Sequence, residues 1–287
     1  MPPNNLDRRL RLPAAKPSQE PRRPFRAILC ETPTVRVILS FHPQADFGGR
    51  LLQFRSPHDS TPWRYNEARV QCQHEGRECV PSAPKKQYMS QCQPCPCDPV
   101  PAPNFNAMGF GYVQLMLNKV LHSCERRVST AMFRLLMVGL GGGSFTQPVR
   151  RRCQAHIDVI EKQKDVADAA RLFLGYQEHE GHSKDERIII ADGQKGLQLA
   201  EMYSNGHQYD AIAIDCMVSG KIPLGCRSDQ FVDTAARLLS PGGVITQWSW
   251  QADFRPLRAQ WQTRFSNVTH QLYSGNPVLE IRSHRHR

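Results

Sequence analysis

The chain contains no apolar run near the ~20 residues that a bilayer-spanning helix requires, so it is expected to be soluble or at most peripheral. Its first residues lack the basic, then apolar, then small-residue order of a secretory leader. That favours the cytoplasm, and an extracellular location would follow only if the chain begins upstream of Met1. Also missing is a periodic basic face interleaved with aromatics, and aromatic residues make up only 8%. The formal charge is nevertheless +11, but seven Lys and Arg fall within the first 26 residues. This reads as a solvated tail rather than a nucleic-acid footprint, although the charge can steer an acidic macromolecule.

What is present is a core. Hydrophobic residues make up 40% of the 287 positions and concentrate after about residue 107, enough for one large domain with an appendage. Residues 1–24 hold six prolines and are expected to be a disordered basic tail. Residues 25–104 are expected to be a small β-rich region: RAILCE, TVRVILSF and GRLLQF are short strand-like runs. They lead into a Pro- and Cys-rich irregular loop over 81–104. Residues 105–287 form the main domain. Val113, Leu117, Val120 and Leu121 sit at helical spacing within Gly111–Ser123. Thereafter the apolar runs FRLLMVG, AHIDVIE, RIIIAD, YDAIAID and GVITQWS alternate with helical segments around Gln147–Arg152, Asp165–Leu174, Gly196–Tyr203 and Ser228–Leu239. This alternation predicts a parallel α/β sheet. VTHQLYSGNPVLEI closes the chain as a hairpin, and Ser240-Pro241-Gly242-Gly243 reads as a structural turn.

Between the first of these strands and the next helix lies MVGLGGGSF, with Gly139, Gly141, Gly142 and Gly143 packed together. Glycines there let backbone approach a ligand and aim a helix N-terminus at it. A dinucleotide fingerprint would need a third glycine where Ser144 stands, which disfavours NAD. The frame Gly139, Gly141, Gly143 suits S-adenosylmethionine instead. Glu161 ends the second strand twenty-two residues after Gly139, placed to accept ribose hydroxyls. Asp192, followed by Gly193, ends the third and can accept an adenine amino group; Asp215 ends the fourth. All three acidic tips fall on the carboxyl edge, where open α/β sheets bind ligands.

In this order, VGLGGGSF, HIDVIE, IADG, YDAIAID and LLSPGGVI resemble the class I S-adenosylmethionine-dependent methyltransferases, over roughly residues 105–284. Within them the chain is closest to the spermidine-synthase-like branch. VGLGGGS with IADG is similar to the spermidine-synthase-like domain of methyltransferases that modify elongation factor 1A. The resemblance implies a Rossmann-like seven-stranded sheet with its last strand antiparallel, preceded by a small β-region. It also implies S-adenosyl-L-methionine or its decarboxylated form as cofactor, and a homodimer formed through the N-terminal part.

The departures narrow the chemistry. Polyamine synthases carry D-x-x-D at the fourth strand tip, where this chain reads Asp215-Cys216-Met217-Val218, and Tyr-x-Glu where it reads Tyr112-Val113-Gln114. An amine dication needs those carboxylates, because an unpaired buried ammonium is costly. The Glu-x-Asp-Pro turn has become Glu161-Lys162-Gln163-Lys164. These changes favour methyl transfer to an unidentified acceptor, a protein side chain among the candidates, over aminopropyl transfer, and leave open a catalytically inactive binding protein. Asp215 is the candidate acceptor-side residue, its bland alternatives being a second cofactor contact or a helix cap. Tyr112 is a candidate for stacking on substrate, or simply a core tyrosine.

Ten cysteines are many for this length. Cys72, Cys79, Cys92, Cys95 and Cys97 cluster, but their spacing does not make two regular zinc pairs. Free or disulfide-bonded thiols are favoured there, and no metal site is assigned. Cys124, Cys153, Cys216 and Cys226 are expected to be small buried hydrophobes or stray thiols. Asn267-Val268-Thr269 is a permitted glycosylation triplet.

Overall fold

A computed structural model describes residues 25–31, 34–42, 47–54, 67–72, 103–108, 111–127, 131–174, 176, 187–217 and 221–283. The basic tail, Cys79, Cys92, Cys95, Cys97 and Val218 lie outside the described residues. Five strands come first: β1 (Phe25–Glu31), β2 (Val35–His42), β3 (Phe47–Phe54), β4 (Glu67–Cys72) and β5 (Pro103–Met108). They pair antiparallel in chain order. Sequence patterning anticipated β1 to β3. It missed β4 and β5, whose segments EARVQC and PNFNAM have weak strand propensity and gain their ladder bonds from neighbours. β5 takes up the end of the stretch expected to be an irregular loop and carries the sheet on to Met108.

The second sheet is built from α1 (Gly111–Glu125), β6 (Arg134–Val138), α2 (Thr146–Cys153), β7 (His156–Glu161), α3 (Lys164–Phe173), β8 (Ile188–Ile190), α4 (Gly193–Tyr203), β9 (Tyr209–Ile214), α5 (Asp229–Leu238), β10 (Leu239–Trp248), α6 (Gln251–Gln262), β11 (Asn267–Tyr273) and β12 (Asn276–Arg282). A short 3-10 turn, Leu224–Cys226, precedes α5. Strand order is β11-β12-β10-β9-β6-β7-β8. The strands from β6 to β10 run parallel, while β12, the last in sequence, enters antiparallel to β10 and β11. The sheet is therefore the Rossmann-like, seven-stranded arrangement expected from the sequence, with the smaller β-region before it. Thr34 joins the two parts by donating from its hydroxyl to Asp165 on α3 at 2.8 Å.

Strand periodicity divides the core into two layers. Leu135 and Met137 of β6, Ile157 and Val159 of β7, and Ala211 and Ala213 of β9 pack with α1 to α3. Leu136, Val138, Ile160, Ile212 and Ile214 face α4 to α6. Burying each large aliphatic side chain contributes about 1.5–3 kcal/mol. The small Ala211 and Ala213 let α1 lie close over β9. Helix α6, which contains Pro256 and was not anticipated, is held by buried Leu257 and Trp261. The Trp261 indole donates to Gln247 at 2.7 Å.

At the amino edge, buried Asp158 gathers a polar cluster. Tyr209 donates to it at 2.7 Å, His156 Nε2 lies 3.2 Å away, and Arg134 and Arg187 approach at 3.7 and 3.5 Å. The cluster lies across the sheet from the glycine loop.

Two features differ from expectation. Ser240-Pro241-Gly242-Gly243 is absorbed into the start of β10, where the register to β9 shifts and Gly242 takes φ 77°. Cys124 is disulfide-bonded to Cys153, and Cys216 to Cys226, so these four are neither stray thiols nor plain core residues. Their Cα atoms are brought to 6.0 and 6.3 Å, within disulfide range. Pairs separated by 29 and 10 positions carry no local signal of meeting. The hairpin β11–β12 turns at Ser274-Gly275, both at positive φ as a two-residue hairpin turn demands. Asn267 is exposed at the start of β11. Among the described residues no helix is long and apolar enough to cross a membrane.

Candidate functional site

Four loops leave the carboxyl edge of neighbouring strands β9, β6, β7 and β8, and they carry the residues singled out by sequence. Gly139 follows β6 and donates to the Ile160 carbonyl at 2.7 Å, while Asp215 follows β9 and donates to the Val138 carbonyl at 2.9 Å. Gly139, Gly141 and Gly143 have φ of 93°, 52° and 74°, a left-handed run costly for any residue with a Cβ. Two of these glycines are demanded by the chain's own packing. A Cβ at Gly139 would overlap the Asp215 carbonyl oxygen, and one at Gly143 would lie 2.6 Å from the Tyr176 ring. Gly142 is buried in the same loop.

Glu161 is not a surface residue at a strand end, being only 7% exposed. Its Oε2 accepts from the Leu140 N–H at 3.0 Å and its Oε1 from the Gln163 N–H at 2.9 Å. The carboxylate thus spans from β7 into the glycine loop of β6. Burial pushes its pKa up, and the backbone N–H groups of Gln163, Leu140, Gly141 and Lys162 oppose that by stabilising the charge.

Asp192 is the N-cap of α4, its Oδ1 accepting from the N–H groups of Gln194 and Lys195 at 3.1 and 3.2 Å. The capping uses one oxygen and leaves the residue exposed, with Gly193 buried beside it. Asp215 caps nothing: Ser228 caps α5, and Asp215 to Met217 are irregular. Instead Asp215 faces Tyr112, whose hydroxyl donates to it at 3.2 Å. Burial raises the Asp215 pKa to about 6, with the Tyr112 hydrogen bond pulling down and the Glu161 charge pushing up. Burial, then the adjacent carboxylate, moves the Tyr112 phenol well above its usual range, so it remains a donor.

The sequence did not single out the aromatic wall beside this pair. Trp248 lies 5.0 Å from the Tyr112 ring, and Trp250 stands edge-on to Trp248 at 4.5 Å. The available signal was Trp-Ser-Trp at the carboxyl end of a buried strand. Gln114, at the position of the missing glutamate, donates along the helix to Asn118 at 2.8 Å.

No protein-family profile matches the chain, and no curated protein matches it significantly. Solved structures do. Human methyltransferase-like protein 13 in complex with SAH superposes with a TM-score of 0.51 at 21% identity, covering 60% of this chain and 81% of that one. A probable spermidine synthase from Corynebacterium glutamicum gives 0.56 at 14% identity, covering 86% of this chain and 77% of that one. The chain has the class I methyltransferase-like fold, in the spermidine-synthase-like form that includes a preceding β-region. At these identities the likeness establishes the fold and no more.

Proposed function

We propose that this chain is a methyltransferase that uses S-adenosyl-L-methionine and acts on an amine acceptor, a protein side chain. One observation carries the proposal: the buried Glu161 carboxylate at the tip of β7, hydrogen-bonded to the left-handed glycine loop of β6. A carboxylate at a strand tip beside a backbone free of side chains fits a ribose diol and an adjacent sulfonium. Gly139, Gly141, Gly142 and Gly143 would line the cofactor, Glu161 would hold its ribose, and Asp192 with Gly193 would meet its adenine. The cofactor supplies an electrophilic methyl carbon on a positively charged sulfur.

The residues that remain do positioning and proton work. An attacking nitrogen must be neutral, and above about pH 6 Asp215 is an anion able to orient an acceptor N–H or take its proton. Tyr112 fixes that carboxylate in place; Trp248 packs against Tyr112, and Trp250 against Trp248, each at an angle, as an aromatic cluster able to contact an alkyl ammonium chain. One carboxylate can manage one amine. The absence of a carboxylate at Gln114 and at Val218 disfavours a polyamine dication and hence aminopropyl transfer.

The test is calorimetric titration with S-adenosylmethionine, its decarboxylated form and NAD, on the wild type and on Glu161→Ala. Tight binding of S-adenosylmethionine that the substitution abolishes supports the proposal. Preference for the decarboxylated form would overturn it in favour of aminopropyl transfer. Absence of binding to all three would leave an inactive scaffold.

A further inference from the structure

One covalent bond ties the tip of β9 to the Leu224–Cys226 turn, which packs against the start of α4. Cys216 follows Asp215 directly and is bonded to Cys226 at the end of the Leu224–Cys226 turn. That turn lies on the N-terminus of α4, where a Cβ on Gly193 would sit 2.5 Å from Cys226 Sγ and 2.7 Å from the Gly225 carbonyl oxygen. A Cβ on Gly225 would in turn lie 3.1 Å from Asp192 Oδ1. The bond therefore links the neighbour of the candidate acceptor-side residue to the pair Asp192–Gly193. Besides the disulfide, the segment is held by the buried side chains of Ile222 and Cys226, by Gln247 Nε2 donating to the Cys226 carbonyl at 3.2 Å, by the Ser228 hydroxyl donating to Gln194 at 2.8 Å and by Arg227 lying 3.7 Å from Asp253. A second disulfide among the described residues, Cys124–Cys153, ties the C-terminal ends of α1 and α2 at the opposite edge of the sheet.

We infer that the Cys216–Cys226 disulfide is a redox-sensitive clamp on the adenosyl end of the site, binding S-adenosylmethionine tightly when formed and weakly when reduced. The inference rests on the cofactor assignment proposed above. A dithiol reductant opens the clamp: the S–S bond breaks, its two sulfurs each gain an electron and a proton, and the reductant's two thiols close into a disulfide. The turn against Asp192 and Gly193 is then held only by non-covalent contacts. If it stays docked a tenth of the time, the apparent Kd rises about tenfold.

The experiment is calorimetric titration of the full chain with S-adenosylmethionine before and after dithiothreitol. It is run on the wild type, Cys216→Ser/Cys226→Ser and Cys124→Ser/Cys153→Ser, with alkylation and mass spectrometry reporting which bonds have opened. The expected result is a Kd about tenfold higher on reduction in the wild type and in Cys124→Ser/Cys153→Ser. Cys216→Ser/Cys226→Ser should bind weakly under both conditions. Amide exchange across Leu224–Cys226 should also quicken when the wild type is reduced, a readout that does not depend on folding of the serine variants. Equal affinity of the oxidised and reduced wild type overturns the clamp and leaves the cofactor assignment standing. A redox effect that persists in Cys216→Ser/Cys226→Ser also overturns it, and failure to bind in either state removes the clamp and the cofactor assignment together.

Discussion

Asp215→Asn separates a carboxyl strained by burial from one that is merely near the edge of a sheet. Burial, opposed by Tyr112 and reinforced by Glu161, moves its pKa from 3.8 to about 6. The folded state therefore binds the proton more tightly than the unfolded chain, and ionisation destabilises the fold as pH rises from 3.8 to about 6. At 1.36 kcal/mol per unit the full cost is about 3 kcal/mol. Because Asp215 keeps some contact with solvent, that figure is an upper limit. Asn has nearly the same shape, still accepts from Tyr112 and cannot ionise. Relative to the wild type, the variant should gain up to about 2 kcal/mol of stability between about pH 4 and pH 7.5. Glu161, also raised, is present in both proteins and cancels to first order. Urea unfolding followed by tryptophan fluorescence at the two pH values measures the change. A stability difference that stays constant across that range would refute the burial-raised carboxyl and, with it, the acid–base part of the mechanism.

Gly139→Ala should lower stability by about 1–3 kcal/mol from its left-handed φ alone, and by more because the new methyl meets the Asp215 carbonyl; a urea midpoint matching the wild type would contradict this geometry. Asp158→Asn should cost about 1–3 kcal/mol, because Arg134 and Arg187 lose a counter-charge but keep part of their solvent contact. Although burial opposes it, His156, Tyr209 and Arg187 together lower the Asp158 pKa. Its contribution is then present above the ordinary aspartate range and fades as pH falls through the depressed value, so the stability gap between wild type and Asp158→Asn should narrow in acid.

Much of the fold was legible because its signals are local. Near-continuous apolar runs in LLMV, HIDVIE and YDAIAI mark strands buried on both faces. Gly275 in the closing hairpin has the φ freedom that a two-residue turn needs. β4, β5 and α6 escaped because long-range partners make them: β3 supplies the ladder for β4, and Gln247 with the core supplies the anchor for Trp261. Asp192 was read as a ligand contact, and its immediate task is capping α4, a backbone requirement invisible without the helix start.

The sequence by itself determined the alternation of β6 to β10 with α1 to α5, the glycine run and the acidic residues at the tips of β7, β8 and β9, because these depend on neighbours a few positions apart. Tertiary structure decided which distant groups meet. It set Tyr112 on Asp215 across 103 positions, turned Glu161 into the tether of the glycine loop and joined Cys216 to Cys226. It also raised the Asp215 pKa, because desolvation and the field of Glu161 exist only once β6, β7 and β9 lie side by side.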